Sequence, residues 1–264
     1  MVLKIVCFCL ILMSSMGFSK TITLTDQNAM ILNGPVDGES MTELMVKLQK
    51  LNEIETSEPI YLVLNSPGGS VYDGFDFIRF AQTSKRKIDT VTIFAASMAF
   101  QLVETLGTRY VTSYSTLMSH LARGSFGNAE MPGQLDSRYS HFLSHLQEQD
   151  KIVVARTKGK HTLESYHNLI QKEYWANSDR AITDGFADEQ VIVNCDKTLK
   201  GSSYREISVM GGLLTLEVEF SNCPLIVSPL SVKIKSGLEY ATENKIDINK
   251  EFNNKFNTLK NINY

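Results

Sequence analysis

Short apolar runs and segments with helical apolar spacing follow one another along the chain. Residues 60–64 (IYLVL) and 90–95 (TVTIFA) are dense apolar runs, a pattern that predicts buried strands. In segments 40–51 and 135–153 the apolar side chains recur every three or four positions, which predicts amphipathic helices. Strands that alternate with helices in this way predict an α/β fold whose largely parallel sheet is buried on both faces.

The helix at 40–51 is predicted to begin with a capping box formed by Ser40 and Glu43. Further strands are predicted at 21–24, 110–114, 116–119 and 186–193, and further helices at 71–78, 97–106 and 163–170. One more helical turn is predicted, capped by Ser178 or Asp179 and ending at Gly185.

The pattern changes after about residue 196. Residues 213–220 (LLTLEVEF) alternate between apolar and polar, which predicts an exposed or edge strand. The stretch 233–264 is rich in Asn and Lys and predicts either a solvated helix or a partly disordered tail. The chain therefore divides into one α/β domain, expected at 20–195, and a C-terminal extension at 196–264.

The N-terminal segment has the layout of a secretory signal peptide. Lys4 precedes an unbroken apolar run at 5–13, and Gly17 and Ser19 supply the small residues of a cleavage site. The run is too short to span a bilayer, which needs about 20 apolar residues. An N-terminal core strand is the alternative interpretation. We expect residues 1–19 to be removed and the mature protein to act in the periplasm or outside the cell.

Composition and charge exclude several classes of protein. The chain has 264 residues, of which 43% are hydrophobic and 21% charged, values typical of a globular protein rather than a disordered one. Lys and Arg total 26 against 29 Asp and Glu, a formal net charge of -3. Without a basic excess, binding to nucleic acid through phosphate neutralisation is not expected.

Removal of the signal peptide would leave two of the four cysteines, Cys195 and Cys223. An oxidising compartment would permit a disulfide between them. Two unpaired, buried thiols are the alternative, and the spacing of these residues does not decide between the two.

Two predicted strand-to-helix junctions and one histidine carry the candidate chemistry. In Asn65-Ser66-Pro67-Gly68-Gly69, paired glycines allow a sharp turn whose free N–H groups can stabilise an oxyanion. Ser97 lies where a buried strand meets a helix N-terminus, which favours negative charge. His120 ends a predicted strand and has the chemistry of a general base for a serine. Taken singly, these features also fit a plain turn, a helix cap and a structural histidine.

These segments resemble the proteolytic subunit of the Clp protease, the ClpP family. The resemblance extends over roughly residues 59–193 and is carried by YLVLNSPGGSVYDGFDF, IFAASMAFQLVETLGTRYV, STLMSHLARGSFG and YWANSDRAITDGFADE. It implies an α/β fold of repeated strand-strand-helix units, the ClpP/crotonase-like spiral, and makes 20–195 a ClpP-like peptidase domain. It also implies a serine endopeptidase with a Ser-His-acid triad.

Carried over residue by residue, Ser97 resembles the nucleophile and His120 the base. The backbone N–H groups of Gly69 and Met98 resemble the oxyanion hole. The position that matches the acid is assigned to Glu173, a residue able to orient a histidine as Asp does.

The chain also departs from the family pattern. Ala99 stands where the family has glycine, and Leu121-Ala122 replaces a Gln-Pro pair. Asp179 is a nearby second candidate for the acid, although a helix cap is its simpler role. Residues 124–133, a region that binds substrate and helps to assemble rings in the family, match poorly. A homo-oligomer is expected, and its size stays open because helix 135–153 could join rings or pack on its own core.

The expected function is an ATP-independent serine endopeptidase that acts outside the cytoplasm on short or unfolded polypeptides, without an ATP-driven unfoldase. No cofactor is expected. No metal is expected either, because the pair His141 and His145 lacks the Glu of a zinc-binding HExxH motif. One alternative is a Ser–Lys hydrolase of the signal-peptide-peptidase type, with Lys151, Lys158, Lys160 or Lys172 as the base. Another is a non-catalytic binding protein on the same scaffold.

Overall fold

The computed structural model describes residues 20–124, 132–209 and 212–237, and beyond these residues 242, 244–247 and 250. The predicted signal peptide, the centre of the segment 124–133 and most of the predicted tail lie outside the described residues. No helix within the described part of the chain is long and apolar enough to cross a membrane.

The strands and helices are as follows in chain order. The strands are β1 (Thr21–Leu24), β2 (Ala29–Asn33), β3 (Ile60–Ser66), β4 (Ile88–Ala96), β5 (Arg109–Ser119), β6 (Tyr174–Asn177), β7 (Glu189–Gln190), β8 (Ile192–Cys195), β9 (Ser202–Val209), β10 (Leu214–Ser221) and β11 (Ser231–Ser236). The helices are α1 (Gly38–Asn52), α2 (Val71–Ala81), α3 (Met98–Thr105), α4 (Pro132–Arg156), α5 (Leu163–Ile170) and α6 (Ser178–Asp184).

The central sheet has the strand order β2-β3-β4-β5-β6, with β7 beside β5. Strands β2 to β5 are parallel, and β6 runs antiparallel to β5. The sheet and the helices share a large apolar core. The predicted α/β class with a largely parallel sheet is confirmed, and the architecture is consistent with the ClpP/crotonase-like fold. The carboxyl ends of β3, β4 and β5 lie at one edge of this sheet, where α2 and α3 begin.

Helix caps differ in detail from the predicted ones. Helix α1 begins one turn earlier than expected, because Asp37 is the N-cap and Ser40 completes the capping box at the third helical position. Helix α6 is capped by Asn177, whose side chain accepts a hydrogen bond from the Arg180 N–H. The prediction of Ser178 or Asp179 as its cap was therefore wrong, and the predicted end at Gly185 is confirmed.

One strand replaces the two predicted at 110–114 and 116–119. Strand β5 is continuous, but its register against β4 shifts, so that Thr92 pairs with Val111 whereas Phe94 pairs with Thr116. The extra residues form a bulge with Tyr114 at a φ of 63° and 99% exposed. The bulge produced the break in the apolar pattern that suggested two strands.

The C-terminal extension forms a separate three-stranded antiparallel sheet in the order β11-β10-β9. The alternating segment is thus the central strand β10 rather than an edge, and its alternation arises because Leu214, Leu216 and Val218 are buried on one face. Residues 233–236 belong to β11, which corrects the prediction of a solvated helix or disorder for this part.

A disulfide between Cys195 and Cys223 links the end of β8 to the turn that follows β10. It resolves the question that the sequence left open, since the two thiols are paired. Strand β8 in turn pairs in parallel with the N-terminal strand β1. The covalent bond therefore ties the C-terminal sheet to the terminal strands of the α/β domain.

Arg109 holds the helices beneath the sheet together through a buried ionic network. Its guanidinium donates to Glu104 Oε2 at 2.6 Å, to Asp188 Oδ1 at 2.9 Å and to the Gly185 carbonyl at 2.8 Å. Burial raises the pKa of Glu104 to about 8 although Arg109 opposes the shift. Burial alone would also raise the pKa of Asp188, but the hydrogen bonds and charge of Arg109 outweigh it and hold that pKa well below its usual range.

Arg109→Met is expected to lower the free energy of unfolding by about 3–5 kcal/mol, because it leaves Asp188 and Glu104 without their buried cation. Arg79→Met is the matched control, since Arg79 forms an exposed pair with Asp76 that contributes about 0–1 kcal/mol. Urea denaturation measures both. Equal losses in the two variants would contradict the role assigned to Arg109.

Candidate active site

The turn between β3 and α2 can be built only with glycine. Gly68 and Gly69 have positive φ values of 84° and 147°. A Cβ on Gly68 would lie 2.4 Å from the Ala96 carbonyl oxygen, and one on Gly69 would lie 2.3 Å from the Val36 carbonyl oxygen. Both contacts are far inside van der Waals distance, so Gly68 lies directly against the end of β4 and Gly69 against the segment that precedes α1.

The turn between β4 and α3 holds Ser97 in a strained conformation, with φ 55° and ψ −121°. A non-glycine residue in this region costs about 1–3 kcal/mol and persists only where its surroundings enforce it. Here the Ser97 N–H donates to the Met118 carbonyl at 2.9 Å. Ser97 occupies the N-cap position of α3, yet its side chain makes no capping hydrogen bond. The hydroxyl is thus directed away from the common capping role.

Ser97 and His120 meet across neighbouring parallel strands. His120 directly follows β5, whose Met118 pairs with Ala96 of β4. The buried Ser119 hydroxyl bonds to Tyr166 of α5 at 2.9 Å and steadies this strand end. His120 Nε2 lies 2.8 Å from Ser97 Oγ. With the proton on Nδ1, Nε2 can accept the serine proton, which is the arrangement of a base-activated nucleophile.

Two backbone N–H groups are available beside Ser97. Met98 is the first residue of α3, so its N–H has no acceptor within the helix. At the glycine turn, Val36 donates to the Gly68 carbonyl and Ser70 donates to the Val36 carbonyl, and neither bond uses the Gly69 N–H. Gly69 and Met98 line the same cavity as Ser97 and His120. Both groups therefore lie at the cavity beside the Ser97 hydroxyl, and their role as an oxyanion hole stays a prediction.

Glu173 lies near this site without a hydrogen bond to His120. One of its carboxylate oxygens accepts from Arg123 at 2.8 Å and the other from Trp175 Nε1 at 3.3 Å. His120 Nδ1 is buried and has no hydrogen-bond partner among the described residues. The triad role of Glu173 stays a prediction, and it requires this carboxylate to exchange Arg123 for the imidazole. Asp179 lies in the first turn of α6.

The surroundings of His120 favour its neutral form. Burial lowers the pKa of the imidazole, and the nearby Arg123 cation lowers it further, whereas the charge of Glu173 and the backbone of Leu121 oppose the shift. A neutral imidazole is the form that accepts a proton from serine. His120 therefore stays neutral to a lower pH than an unperturbed histidine does.

A cavity of about 120 Å³ opens beside Ser97 and His120. Its far wall is formed by α4 and α5 and was not foreseen from the sequence. Leu146, Gln149 and Asp150 of α4 and Ile170 of α5 line it. The spacing of the three α4 residues, i, i+3 and i+4, places them on one helical face and was the signal available in the sequence.

The other sequence candidates lie away from this cavity. Lys158 faces Asp188 at 3.5 Å, and Lys160 donates to backbone carbonyls of α6. Lys151 and Lys172 are not among the residues that line it. The exposed His141 and His145 have their Nε2 atoms 3.3 Å apart. Within the described residues, no three metal-ligating side chains cluster.

The fold and comparisons with known proteins define a peptidase of the ClpP type. The profile of the Clp protease family matches residues 15–194, and the chain belongs to that family. It is similar to the ATP-dependent Clp protease proteolytic subunits of Streptococcus pyogenes serotype M1 and of serotype M5 (strain Manfredo). Each is 27% identical over 169 residues, which cover 63% of this chain and 85% of the relative.

Replacing Ser97 tests the strain in its backbone. Ser97→Gly and Ser97→Ala both remove the hydroxyl, but only glycine adopts a φ of 55° without a Cβ clash. We expect the glycine variant to be more stable than the alanine variant by about 1 kcal/mol. This difference is the backbone strain that glycine relieves, minus the larger conformational entropy that glycine loses on folding. Thermal or urea unfolding measures the difference. An alanine variant at least as stable as the glycine variant would show that the turn is unstrained.

Proposed function

We propose that this protein is an ATP-independent serine endopeptidase that cleaves short or unfolded polypeptides outside the cytoplasm. The observation that carries the proposal is the 2.8 Å contact between Ser97 Oγ and His120 Nε2, made by a serine in a strained strand-to-helix turn. Membership in the Clp protease family supports the peptidase class.

The reaction would proceed by acyl transfer. Ser97 Oγ attacks the carbonyl carbon of the scissile peptide while its proton passes to His120 Nε2. The N–H groups of Gly69 and Met98 hold the negative oxygen of the tetrahedral intermediate. The C–N bond breaks as His120 returns the proton to the leaving amine. Water then attacks the acyl carbon while its proton passes to His120 Nε2. The bond between the acyl carbon and Ser97 Oγ breaks as His120 returns the proton to Oγ, which releases the second product as an acid and restores the serine.

Glu173 is proposed as the third member of a Ser-His-Glu triad. Protonation of His120 during the reaction creates an imidazolium whose Nδ1–H needs a partner, and a carboxylate is the strongest one. Glu173 is close enough to influence the charge of His120 and is held by Arg123, which is 75% exposed in its side chain. An exposed ion pair of this kind contributes about 0–1 kcal/mol, so its exchange is inexpensive.

The proposed location rests on the signal-peptide pattern of residues 1–19 and on the Cys195–Cys223 disulfide. Disulfides form and persist mainly in oxidising compartments. The periplasm and the space outside the cell lack an ATP supply, so the proposed enzyme works there without an unfoldase, although its relatives are named ATP-dependent. Assembly into a homo-oligomer is proposed from the family, whose members are generally oligomeric.

Two rival functions make different demands on the same site. A Ser–Lys hydrolase needs a lysine beside Ser97, and the described residues that line the cavity include Arg123 but no lysine. A non-catalytic binding protein needs no activated serine. The contact between Ser97 and His120 supports the peptidase over both rivals.

Labelling with a fluorophosphonate probe tests the proposal, because such probes react with activated serines. Purified protein should be labelled, and the label should disappear in Ser97→Ala and His120→Ala. Ser144→Ala, which removes an exposed helical serine, is the matched control and should label like the wild type. We expect Glu173→Ala to label at least 10-fold more slowly, if the carboxylate supports His120.

Labelling that persists in Ser97→Ala would rule out Ser97 as the nucleophile. A folded wild-type protein that the probe does not label would favour the non-catalytic binding function. Its oligomeric state would then be measured, to find out whether the protein had failed to assemble.

The pH dependence of kcat/KM tests the influence of Arg123. The base works when neutral, so activity falls as the pH drops through the pKa of His120. Arg123→Gln removes a cation that lowers this pKa and releases the opposing charge of Glu173. The acid limb of the profile should therefore move to higher pH, whereas the remote, exposed Arg79→Gln should leave it in place. An acid limb that stays or moves downward in Arg123→Gln would refute this account of His120.

A further inference from the structure

The catalytic cavity contains a carboxylate that the proposed mechanism does not use. Asp150 of α4 lines the cavity together with Ser97 and His120. Its side chain is only 15% exposed. One oxygen, Oδ2, is 2.8 Å from His167 Nε2 on α5. A buried carboxylate is rare unless it is paired, so its place in a substrate cavity calls for an explanation.

Asp150 makes one side-chain hydrogen bond among the described residues. Its Oδ2 is bonded to His167 Nε2, and its Oδ1 has no partner there. Burial raises the pKa of Asp150, and the hydrogen bond from His167 opposes the shift. A largely buried carboxylate with one free oxygen would attract an incoming cation in a partly desolvated site.

Asp150 is the one carboxylate among the described residues that line the cavity. Arg123 also lines it, and Arg123 is paired with Glu173 at 2.8 Å in the resting site, before the exchange that the proposed mechanism requires. The rest of the lining combines apolar side chains, among them Phe75, Leu146 and Ile170, with the amides of Gln101 and Gln149. Apolar surface beside a carboxylate suits the side chains of lysine and arginine, whose methylene stems end in a cation.

The geometry points to a specificity-determining role for Asp150: the cavity receives a lysine or arginine side chain from the residue that precedes the scissile bond. This inference rests on the proposed peptidase function and names its substrate class. A cavity of about 120 Å³ that adjoins the nucleophile has room for one such side chain. The competing interpretation is that the Asp150–His167 pair only joins α4 to α5.

Peptide substrates that differ only at the residue before the scissile bond distinguish the two interpretations. With the full-length protein, we expect kcat/KM for lysine or arginine to exceed that for leucine at least 10-fold. Asp150→Asn, which preserves shape, should reduce this ratio about 10- to 100-fold, the range expected when one partner of a desolvated charge pair is neutralised. Asp76→Asn, an exposed change on α2, should leave the ratio unchanged.

His167→Gln separates pairing from recognition, because glutamine retains a hydrogen-bond donor while Asp150 keeps its charge. The preference for basic residues should survive in this variant. A wild type that prefers leucine, or a ratio that Asp150→Asn does not change, would overturn the inference while leaving the peptidase proposal intact.

Failure of the peptidase proposal is recognised separately, as the absence of cleavage of every peptide. In that event, binding of n-butylguanidinium, followed by NMR titration, decides whether the cavity recognises a cation. Binding that Asp150→Asn weakens at least 10-fold supports the recognition site. Equal binding to both proteins, or no binding to the wild type, overturns it.

Discussion

The close approach of two turns, one at the end of β3 and one at the end of β4, is the constraint on which the rest of the site depends. Gly68 contacts the backbone of residues 96–98 so closely that no side chain fits between them. Parallel pairing of β3 with β4 places the turns side by side, and the pairing of β4 with β5 brings His120 next to them. Hydrogen bonding within the sheet therefore determines the distances among Ser97, His120 and the backbone N–H groups of Gly69 and Met98.

Strand pairing determines where the His120 ring lies, whereas burial and neighbouring charged side chains determine its protonation. Sheet pairing positions His120 Nε2 beside Ser97, whereas the buried Nδ1 has no hydrogen-bond partner within the described residues. Burial and the Arg123 cation lower the pKa of the imidazole, and the charge of Glu173, which Arg123 binds, opposes the shift. These surroundings favour the neutral imidazole over the imidazolium.

Local patterns predicted the central strands and the residues at their ends, because dense apolar runs and glycine or serine junctions are visible within a few positions. The sequence did not reveal β2 and β6, which are short and gain their identity from pairing with β3 and β5. It also missed the α4 wall of the cavity and the contact between Arg123 and Glu173. Both depend on distant segments meeting, and Glu173 in addition has a positive φ of 59° that its residue type does not suggest.

The pairing of β1 with β8 has a consequence for how the protein folds. Thr21, near the start of the described chain, is opposite Ile192, so this small sheet closes only after nearly the whole domain has been synthesised. Contacts of such large sequence separation carry a high loop-closure entropy and slow the folding reaction. The N-terminal strand must therefore stay unpaired while the central sheet forms. The disulfide between Cys195 and Cys223 adds a second long-range link at the end of β8, this one to the turn after β10.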